Sequence, residues 1–433
     1  MTVQVLIAIG SVIALFILAA GIRRVARRFV IGAESQRKAV HVGVGIHAML
    51  LPLVLTRDGF LVFAALAAIA LLVLRLPGIA TDGVGASLHS VQRRSWGDFL
   101  FLFAISLLFV LSAGHPALYT LPIAVLTLSD AAAALVGTRY GRLRFGGNDR
   151  TKSVEGSVTF LVVTWITAVI VLQLGTEIPR PNVIWLATLV AAFATFVEAD
   201  SWRGLDNLFV PVGVYVLLST WSNSEPAVLA LITIVWLLVL VIAQIFAPRI
   251  GMTPHAARTA LVALFLSTIV ASPINSVLPV LAFFAALAAR TEDEDIEPIL
   301  DFVAALVLTG VVWLMIGNIF GTNAVAFYSA TFAAIGAGYA GFAFRNGRYR
   351  FLAGLAGTGI AILASWLLLP AIIEFMGWTP ALPLIVVISI VTLATALTEV
   401  LRPRSWGNRN PGVRLALTAL AMLLPIYLYE ATL

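Results

Sequence analysis

The sequence predicts an all-α, polytopic integral membrane protein. Of its 433 residues, 61% are hydrophobic and only 11% are charged, whereas average globular chains carry about 25% charged residues. Apolar stretches close to the ~20 residues that cross a bilayer as a helix recur from one end of the chain to the other. Such continuous runs are not the alternating pattern of outer-membrane β-strands, so we expect the spans to be helices.

The apolar runs, separated by charged or turn-rich breaks, predict about sixteen spans by the ~20-residue criterion. Their approximate limits are 3–21, 38–56, 59–77, 98–113, 117–137, 153–173, 181–198, 207–221, 227–247, 257–272, 275–290, 299–317, 321–340, 351–373, 380–399 and 412–431. Arginines and further spans follow the first run, so we interpret it as a transmembrane helix and not as a cleaved signal.

The basic residues between the spans indicate an orientation. When the loops are assigned alternately to the two sides, all but Arg57 and Arg180 of the 27 lysines and arginines fall on one side. By the positive-inside rule this side is cytoplasmic, and both termini are then predicted outside. We expect a multi-pass protein of the cell membrane, surrounded by membrane lipids. The net charge of +6 reports orientation and gives no indication of nucleic-acid binding. The lack of cysteine excludes disulfides and thiolate sites.

A weak internal duplication predicts two parallel repeats of eight helices each. "SDAAAALVGTRYGR" from Ser129 aligns with "SATFAAIGAGYAGF" from Ser329, and Trp165 aligns with Trp366 after one inserted residue. An even number of spans leaves the second copy in the same orientation, which makes the repeats parallel and not inverted.

The two copies differ mainly in their ionisable residues. Asp130 and Lys152 both fall on alanines in the second copy. Ionisable residues that only stabilised the fold would be needed in both copies. We therefore predict a catalytic repeat at 1–222 and a degenerate scaffold repeat at 223–433. The alternative is that the second copy has a site of its own, built from Glu399 and the acidic loop "TEDEDIEP".

The first candidate segment of the site is "ESQRKAVHVGVGIH". It places Arg37, Lys38 and His41 on one helical face. Arg37 and Lys38 have an alternative interpretation as positive-inside anchors. His41 lies about a turn deeper, where an ionisable residue is costly and by default functional; its alternative role is in packing.

The second segment, "LSDAAAALVGTRYGR", carries Asp130 inside an apolar run. A carboxylate at that depth needs a partner, a cation or a water-filled cavity. We interpret Asp130 as a Mg²⁺ ligand, because that ion favours a few carboxylates plus phosphate oxygens. Gly137 and Gly141 would let a ligand or another backbone approach closely, although this spacing is also a common helix-packing signal.

The third segment, "RFGGNDRTKSVEGS", is predicted as a loop that turns into a helix. Thr151 or Ser153 can cap that helix, and its free N–H groups suit a phosphate. Lys152 adds a mobile positive charge for the same anion. The alternative is a capped helix with a lysine that snorkels to the membrane surface.

The fourth segment, "FVEADSWRGLDNLFVP", clusters Glu198, Asp206 and Asn207 in one short turn on the predicted cytoplasmic side. Carboxylates, a lysine and a helix N-terminus on one face describe a phosphoryl or nucleotidyl transfer site. The usual P-loop is excluded, because the sequence lacks GxxxxGK[ST].

In their order and spacing, these segments resemble the polyprenol kinase family of dolichol kinase and phytol kinase, itself distantly similar to phosphatidate cytidylyltransferases. The resemblance covers roughly residues 34–215 and rests on "RKAVHVGVG", "RRSWGDFLF", "SDAAAALVGTRYG", "TKSVEGS" and "EADSWRGLDNLFVP". It implies transfer of the γ-phosphate of CTP, or a related nucleotide, with Mg²⁺. The acceptor it implies is an isoprenoid alcohol such as phytol, farnesol, geranylgeraniol or dolichol.

Carried over by motif, the resemblance implies roles for particular residues. The expected catalytic residues are Asp130, Lys152, Glu198, Asp206 and His41, with Asp130 and Glu155 holding the metal. The expected nucleotide-contacting or bordering residues are Arg37, Lys38, Gly137, Gly141, Ser153, Glu155 and Asn207. The base that accepts the hydroxyl proton is left open among Glu198, Asp206 and His41.

Two alternative functions stay open from the sequence. A cytidylyltransferase acting on a lipid phosphate would use the same phosphate and metal site. A transporter is the alternative from another class, because many transporters are built from repeats. Asp130 is the transporter's best support, but the other ionisable residues lie at predicted cytoplasmic ends and in loops, not at mid-bilayer.

Overall fold

A computed structural model of the chain describes residues 2–75, 97–112, 114–145, 152–201, 204–289, 298–320, 324–343, 350–376, 386–387, 389–395 and 411–432. These residues are almost entirely helical. Within these ranges, ten helices are long and apolar enough to cross a membrane. An all-α polytopic membrane protein is thus confirmed, whereas sixteen spans in two parallel repeats stay a prediction. The acidic loop up to Glu297, Glu399 and residues 93–96 of the "RRSWGDFLF" segment lie outside the described residues.

The chain divides into two compact units, Met1–Ile242 and Ala243–Leu433. The prediction divided it at residue 222, and the roles assigned to the two halves stay predictions. The helices of the first unit are α1 Thr2–Arg28, α2 Ala33–Val54, α3 Arg57–Leu74, α4 Gly97–Leu111, α5 Pro116–Ala124, α6 Asp130–Tyr140, α7 Val154–Gly175, α8 Arg180–Asp200 and α9 Asp206–Trp221, followed by α10 Pro226–Phe246.

Local sequence signals explain several of these boundaries. Thr56 caps α3 by accepting a hydrogen bond from the Gly59 N–H, and the acidic Asp58 lies in the first turn, where the helix dipole favours it. Prolines in the first turn begin α5 and α8, since their missing N–H is not needed there. α2 begins at Ala33, five residues before the predicted span, so its charged first turns are helical.

One π-helical turn, Val125–Ser129, joins α5 to α6 and ends directly before Asp130. π-Helical turns are rare in proteins, and a large share of those that occur lie at functional sites. The hydroxyl of Thr164, on α7, donates to the Ser129 hydroxyl at 2.9 Å, and both residues are fully buried. The turn is therefore held in place from a neighbouring helix.

A two-stranded antiparallel hairpin, β1 Arg144–Phe145 and β2 Lys152–Ser153, precedes α7. The sequence predicted only a loop over this segment. The pairing of Phe145 with Lys152 fixes the lysine's backbone immediately before the helix begins.

The interior of the first unit depends on close approaches between helices. Gly45 of α2 lies against the π turn, where a Cβ would be only 2.0 Å from Thr127 Oγ1. Nearby, the rings of Phe60 and Phe109 stack at 3.9 Å, and the Tyr119 hydroxyl donates to the Ala48 carbonyl at 2.8 Å. Of these contacts, the one between Gly45 and Thr127 brings α2 close to the segment that leads into Asp130.

The second unit is also helical. Its elements are a 3₁₀ turn Ala247–Ile250, α11 Pro254–Ala271, a 3₁₀ turn Ile274–Ser276, α12 Val277–Ala288, α13 Pro298–Phe320, α14 Ala324–Ala343, α15 Arg350–Met376 and α16 Pro411–Thr432. The buried α14 is its centre, with rings such as Phe332 and Tyr339 packed among apolar neighbours. Asp301, on α13, accepts hydrogen bonds from the first N–H groups of α16, at Gly412 and Val413. A carboxylate there serves as a helix cap.

Replacing Gly45 with alanine is expected to destabilise the protein by about 1–3 kcal/mol, since the new methyl group overpacks the contact with Thr127. Adding Thr127→Ala, which removes Oγ1 and Cγ2, should restore part of the loss. Detergent-based chemical unfolding measures both. Gly10→Ala is the matched control, because no atom lies within 4 Å of that added Cβ. Equal effects at positions 10 and 45 would contradict the close packing.

Candidate functional site

Two lysine–carboxylate pairs, one buried and one partly buried, form the centre of the candidate site. In the first, Lys38 Nζ on α2 donates to Asp130 Oδ2 on α6 at 2.5 Å. Only 5% of Lys38 and 9% of Asp130 is exposed. An isolated charge at this depth would be strongly unfavourable, so each residue makes the other's charge tolerable. The partner that the sequence required for Asp130 is therefore Lys38.

His41 joins this pair from one turn further along α2. Its Nε2 lies 3.6 Å from Asp130 Oδ2, which is too long for a hydrogen bond. That nitrogen is buried and has no hydrogen-bond partner among the described residues. The imidazole ring packs on Phe101 of α4, with 5.2 Å between the ring centroids. His41 is thus held in place by apolar contact, with one nitrogen directed at the carboxylate.

The second pair joins the hairpin to the end of α8. Lys152 Nζ forms an ion pair with the Glu198 carboxylate and also donates to the Glu198 carbonyl at 2.9 Å. Glu198 is 5% exposed. The two acceptors of Glu198, its carboxylate and its backbone carbonyl, anchor the lysine.

The surroundings of Lys152 show that the two pairs share one electrostatic environment. Burial lowers the pKa of Lys152, but attraction to Glu198, Asp206 and Asp130 outweighs burial and raises this pKa above its ordinary value. Lys152 is therefore a stable ammonium. The structure brings together Asp130, Lys152, Glu198, Asp206 and His41, which the sequence predicted as catalytic.

Arg37 lies at the border of this cluster. Its guanidinium donates to Glu34, one turn back on α2, at 3.0 Å from Nε and 2.6 Å from Nη2. This bidentate bond raises the pKa of Arg37, and the nearby carboxylates Asp130 and Asp206 add to the effect. The same bond lowers the pKa of Glu34. Arg37 is partly exposed, unlike the buried Lys38 that follows it.

Ser153, and not Thr151, is the residue shown to cap α7; Thr151 lies outside the described residues. The Ser153 hydroxyl accepts a hydrogen bond from the Gly156 N–H at 3.1 Å. The same oxygen lies 2.9 Å from where a Cβ would stand at Gly137, and 2.7 Å from one at Gly141. These glycines let α6 and the start of α7 touch, which supports the packing interpretation. Their nucleotide contact stays a prediction.

Glu155 supports the hairpin. Its Oε1 accepts from the backbone N–H groups of Arg142 at 3.0 Å and Leu143 at 3.4 Å. It therefore ties the first turn of α7 to the segment that leads into β1. A metal-binding role for Glu155 stays a prediction, and nothing in its contacts directs it at Asp130.

Asp206 and Asn207 begin α9, after Gly204, whose φ of +86° suits glycine. The Asn207 N–H donates to the Gly204 carbonyl at 3.1 Å, closing the turn. The turn is thereby fixed next to the end of α8, which carries Glu198. Asp200, the last residue of α8, is also buried, with only 8% of it exposed.

The donor set fits a divalent ion that a nucleotide brings with it. No group of three acidic or histidine side chains gathers as a ready-made metal site in the part of the chain that the structure describes. Mg²⁺ typically uses one or two carboxylates together with substrate phosphates and waters. Asp130 would be the protein's carboxylate in such an arrangement.

The sequence did not predict which charges pair. Lys38 was assigned to anchoring or to the border of the site, and its bond to Asp130 is non-local. The π turn before Asp130 and the packing of Phe101 on His41 were also missed. The only sequence signal for this pairing was that each buried charge required a compensating partner.

Comparison with known proteins gives one curated relative. The chain is 33% identical over 199 residues to a phytol kinase from Synechocystis sp., a match that covers 44% of this chain and 80% of that protein. No protein-family model and no solved structure matches the chain.

Replacing Lys38 with methionine is expected to destabilise the first unit by about 3–5 kcal/mol, because the buried Asp130 carboxylate loses its compensating charge. A double variant, Lys38→Met with Asp130→Asn, should recover a large part of that loss. Thermal unfolding in detergent measures the difference. Arg37→Met is the matched control: its pair with Glu34 is partly exposed, and such pairs contribute about 0–1 kcal/mol. A double variant no more stable than Lys38→Met would contradict the pairing.

Proposed function

The chain belongs to the phytol kinase family, and from this we propose that it transfers the γ-phosphate of CTP, or of a related nucleotide, to an isoprenoid alcohol. The observation that carries the proposal is the pair of linked ion pairs, Lys38–Asp130 and Lys152–Glu198. A site for phosphoryl transfer needs positive charge for the phosphates and carboxylates for a metal and a proton. The cluster holds both kinds of group within one unit.

In the proposed reaction, the alcohol oxygen forms a bond to the γ-phosphorus. The bond from that phosphorus to the bridging oxygen breaks, and the nucleoside diphosphate leaves with the electron pair. The hydroxyl proton passes to a base on the protein. Lys152, whose ammonium is stable, would neutralise the charge on the transferring phosphate, as a fixed donor does in a water-poor site. A bound Mg²⁺ would supply further neutralisation of phosphate charge, with Asp130 as its carboxylate.

We favour His41 as the base among the three candidates. Glu198 is occupied by Lys152, whereas His41 Nε2 is buried and has no hydrogen-bond partner among the described residues. An imidazolium formed at His41 would lie 3.6 Å from the Asp130 carboxylate, which favours the arrival of the proton.

We further propose that the site faces the cytoplasm, where the nucleotide is found. The positive-inside distribution of the basic residues supports this orientation, with both termini outside and the protein in the cell membrane. The alcohol would then enter laterally from the bilayer, while the nucleotide arrives from water.

We also propose that the chain is an internal duplication, and one repeated contact supports this. In the first unit, Trp165 Nε1 donates to Thr188 Oγ1 at 3.2 Å. In the second unit, Trp366 Nε1 donates to Ser389 Oγ at 3.1 Å, and each pair is separated by 23 residues. Within each unit, matching helices also pack on each other: α4 on α9, and α13 on α16.

Purified protein with labelled CTP, Mg²⁺ and a panel of isoprenoid alcohols is expected to produce labelled lipid phosphate and CDP. Lys152→Met should reduce turnover by roughly 10²–10³, the effect of removing one fixed donor to developing charge. Glu399→Ala, in the half predicted to be a scaffold, should retain activity. Nucleotide binding without any lipid phosphate would overturn the kinase proposal. Pyrophosphate release with a lipid-phosphate substrate would favour the cytidylyltransferase.

Glu155→Gln is expected to leave turnover and the Mg²⁺ concentration for half-maximal activity close to those of the unchanged protein. The glutamine oxygen can still accept from the N–H groups of Arg142 and Leu143. Glu155→Ala should lower the melting temperature, because the hairpin loses this acceptor. A several-fold rise in the Mg²⁺ requirement of Glu155→Gln, at an unchanged melting temperature, would instead identify Glu155 as a metal ligand.

A further inference from the structure

The buried carboxylates of the two ion pairs, Asp130 and Glu198, are each bound by a lysine. Lys38 Nζ donates to Asp130 Oδ2 at 2.5 Å, and Lys152 Nζ forms an ion pair with the Glu198 carboxylate. Mg²⁺ typically binds one or two protein carboxylates together with substrate phosphates and waters. The two ammonium groups therefore stand where such an ion would have to meet the protein.

A divalent cation by itself meets an obstacle at these carboxylates. To bind Asp130 it must displace Lys38, whose side chain is only 6% exposed. The displaced ammonium would stay buried without a compensating charge, which is strongly unfavourable. If the lysine instead kept its place, two cations would repel each other at short range in surroundings that screen charge poorly. The ion pairs thus oppose the binding of a free metal ion.

A triphosphate by itself meets the opposite obstacle. Its oxygens could attract Lys38 and Lys152 only by drawing them away from their carboxylates. Asp130 and Glu198 would then be buried and unpaired, with further negative charge beside them. Each ion pair therefore protects both of its members from a ligand that carries charge of only one sign.

A complex of the metal with a triphosphate carries charge of both signs, so it can replace both partners together. Its cation would compensate the carboxylates, and its phosphate oxygens would accept from the released ammonium groups. Lysine suits this exchange, because its ammonium has three donors on a flexible stem. Lys152 also donates to the Glu198 backbone carbonyl at 2.9 Å. That bond does not involve the carboxylate, so it can keep the lysine at the site during the exchange.

We propose that Lys38 and Lys152 block the metal-binding carboxylates of the free protein, so that the site takes up the divalent cation and the nucleoside triphosphate only together; this inference rests on the proposed function. In the free protein the lysines compensate Asp130 and Glu198, and in the loaded protein the cation does. Binding of either component then strengthens binding of the other by the same factor, because coupling between two ligands is reciprocal.

Mn²⁺ binding in the absence of turnover measures this coupling. Mn²⁺ is titrated into the purified protein with and without the β,γ-methylene analogue of CTP, which cannot transfer its γ-phosphate, and free Mn²⁺ is counted by electron paramagnetic resonance. Protein-free samples correct for Mn²⁺ held by the analogue itself. We expect the analogue to tighten Mn²⁺ binding to the protein by ~5–150-fold, the usual range of such coupling. Equal Mn²⁺ affinity with and without the analogue would overturn the proposal.

Lys38→Met isolates the contribution of the lysine. Without Lys38, Mn²⁺ alone can compensate Asp130, so it should bind about tenfold or more tightly than to the unchanged protein. It should also raise the melting temperature of this variant. Lys38→Met combined with Asp130→Asn lacks the charge that needs compensation, so its melting temperature should not respond to Mn²⁺. If Lys38→Met does not fold, Lys152→Met provides the same comparison at Glu198, since that pair is only partly buried.

Arg37→Met is the matched control, because it releases Glu34, whose side chain is 37% exposed and therefore needs no new cation. Mn²⁺ alone should leave its melting temperature unchanged. Mn²⁺ that binds the unchanged protein as tightly as it binds the lysine variants would overturn the proposal. If no alcohol is phosphorylated, the proposed function fails instead. The comparison with Mn²⁺ alone requires no kinase activity, so the two failures are distinguishable.

Discussion

The burial of Asp130 is the constraint on which the first unit depends. A carboxylate in an apolar helix is tolerated only beside a compensating charge, and Lys38 supplies that charge from α2. To bring the two together, α2 must approach the helix of Asp130 closely. Gly45 makes this approach possible by leaving room for Thr127. The π turn then ends at the carboxylate itself, held by the Thr164–Ser129 hydrogen bond.

The second ion pair also places a lysine beside a carboxylate from a distant part of the chain, but other elements carry the two residues. Lys152 stands on a short strand, where the hairpin fixes its backbone, and Ser153 directly after it caps α7. Glu198 lies in the last turn of α8. Both its backbone carbonyl and its carboxylate accept hydrogen bonds from the Lys152 ammonium. Because two hydrogen bonds already restrict the Lys152 side chain, it loses less conformational entropy on binding a further group than a mobile surface lysine would. Under the proposed function, a lysine held in this way would need little reordering to meet a phosphate.

A kinase for a lipid alcohol must serve two phases at once. Its nucleotide is soluble in water, and its acceptor is soluble only in the bilayer. Under the proposed function, the charged cluster would answer the first requirement, and entry of the alcohol from the bilayer would answer the second. His41 lies between the charged and the apolar surroundings of the site, since it faces Asp130 on one side and Phe101 on the other. In the proposed duplication, Ala330 of the second unit would correspond to Asp130, and the Trp366–Ser389 hydrogen bond would correspond to Trp165–Thr188.

The sequence by itself determined the class of the protein, most helix positions and the charged segments that form the site. Apolar run length and the scarcity of charge are local properties, and so are helix caps, which the sequence narrowed to Thr151 or Ser153 at the start of α7. Only the tertiary structure decided that Lys38 compensates Asp130, that Lys152 compensates Glu198, and that Glu155 ties down a hairpin. The reason is that each of the two ion pairs joins residues far apart in the chain. Their meeting depends on how α2, α6, α7 and α8 pack. The close contacts at glycines such as Gly45 and Gly137 involve residues from other helices, which the local sequence around each glycine does not identify.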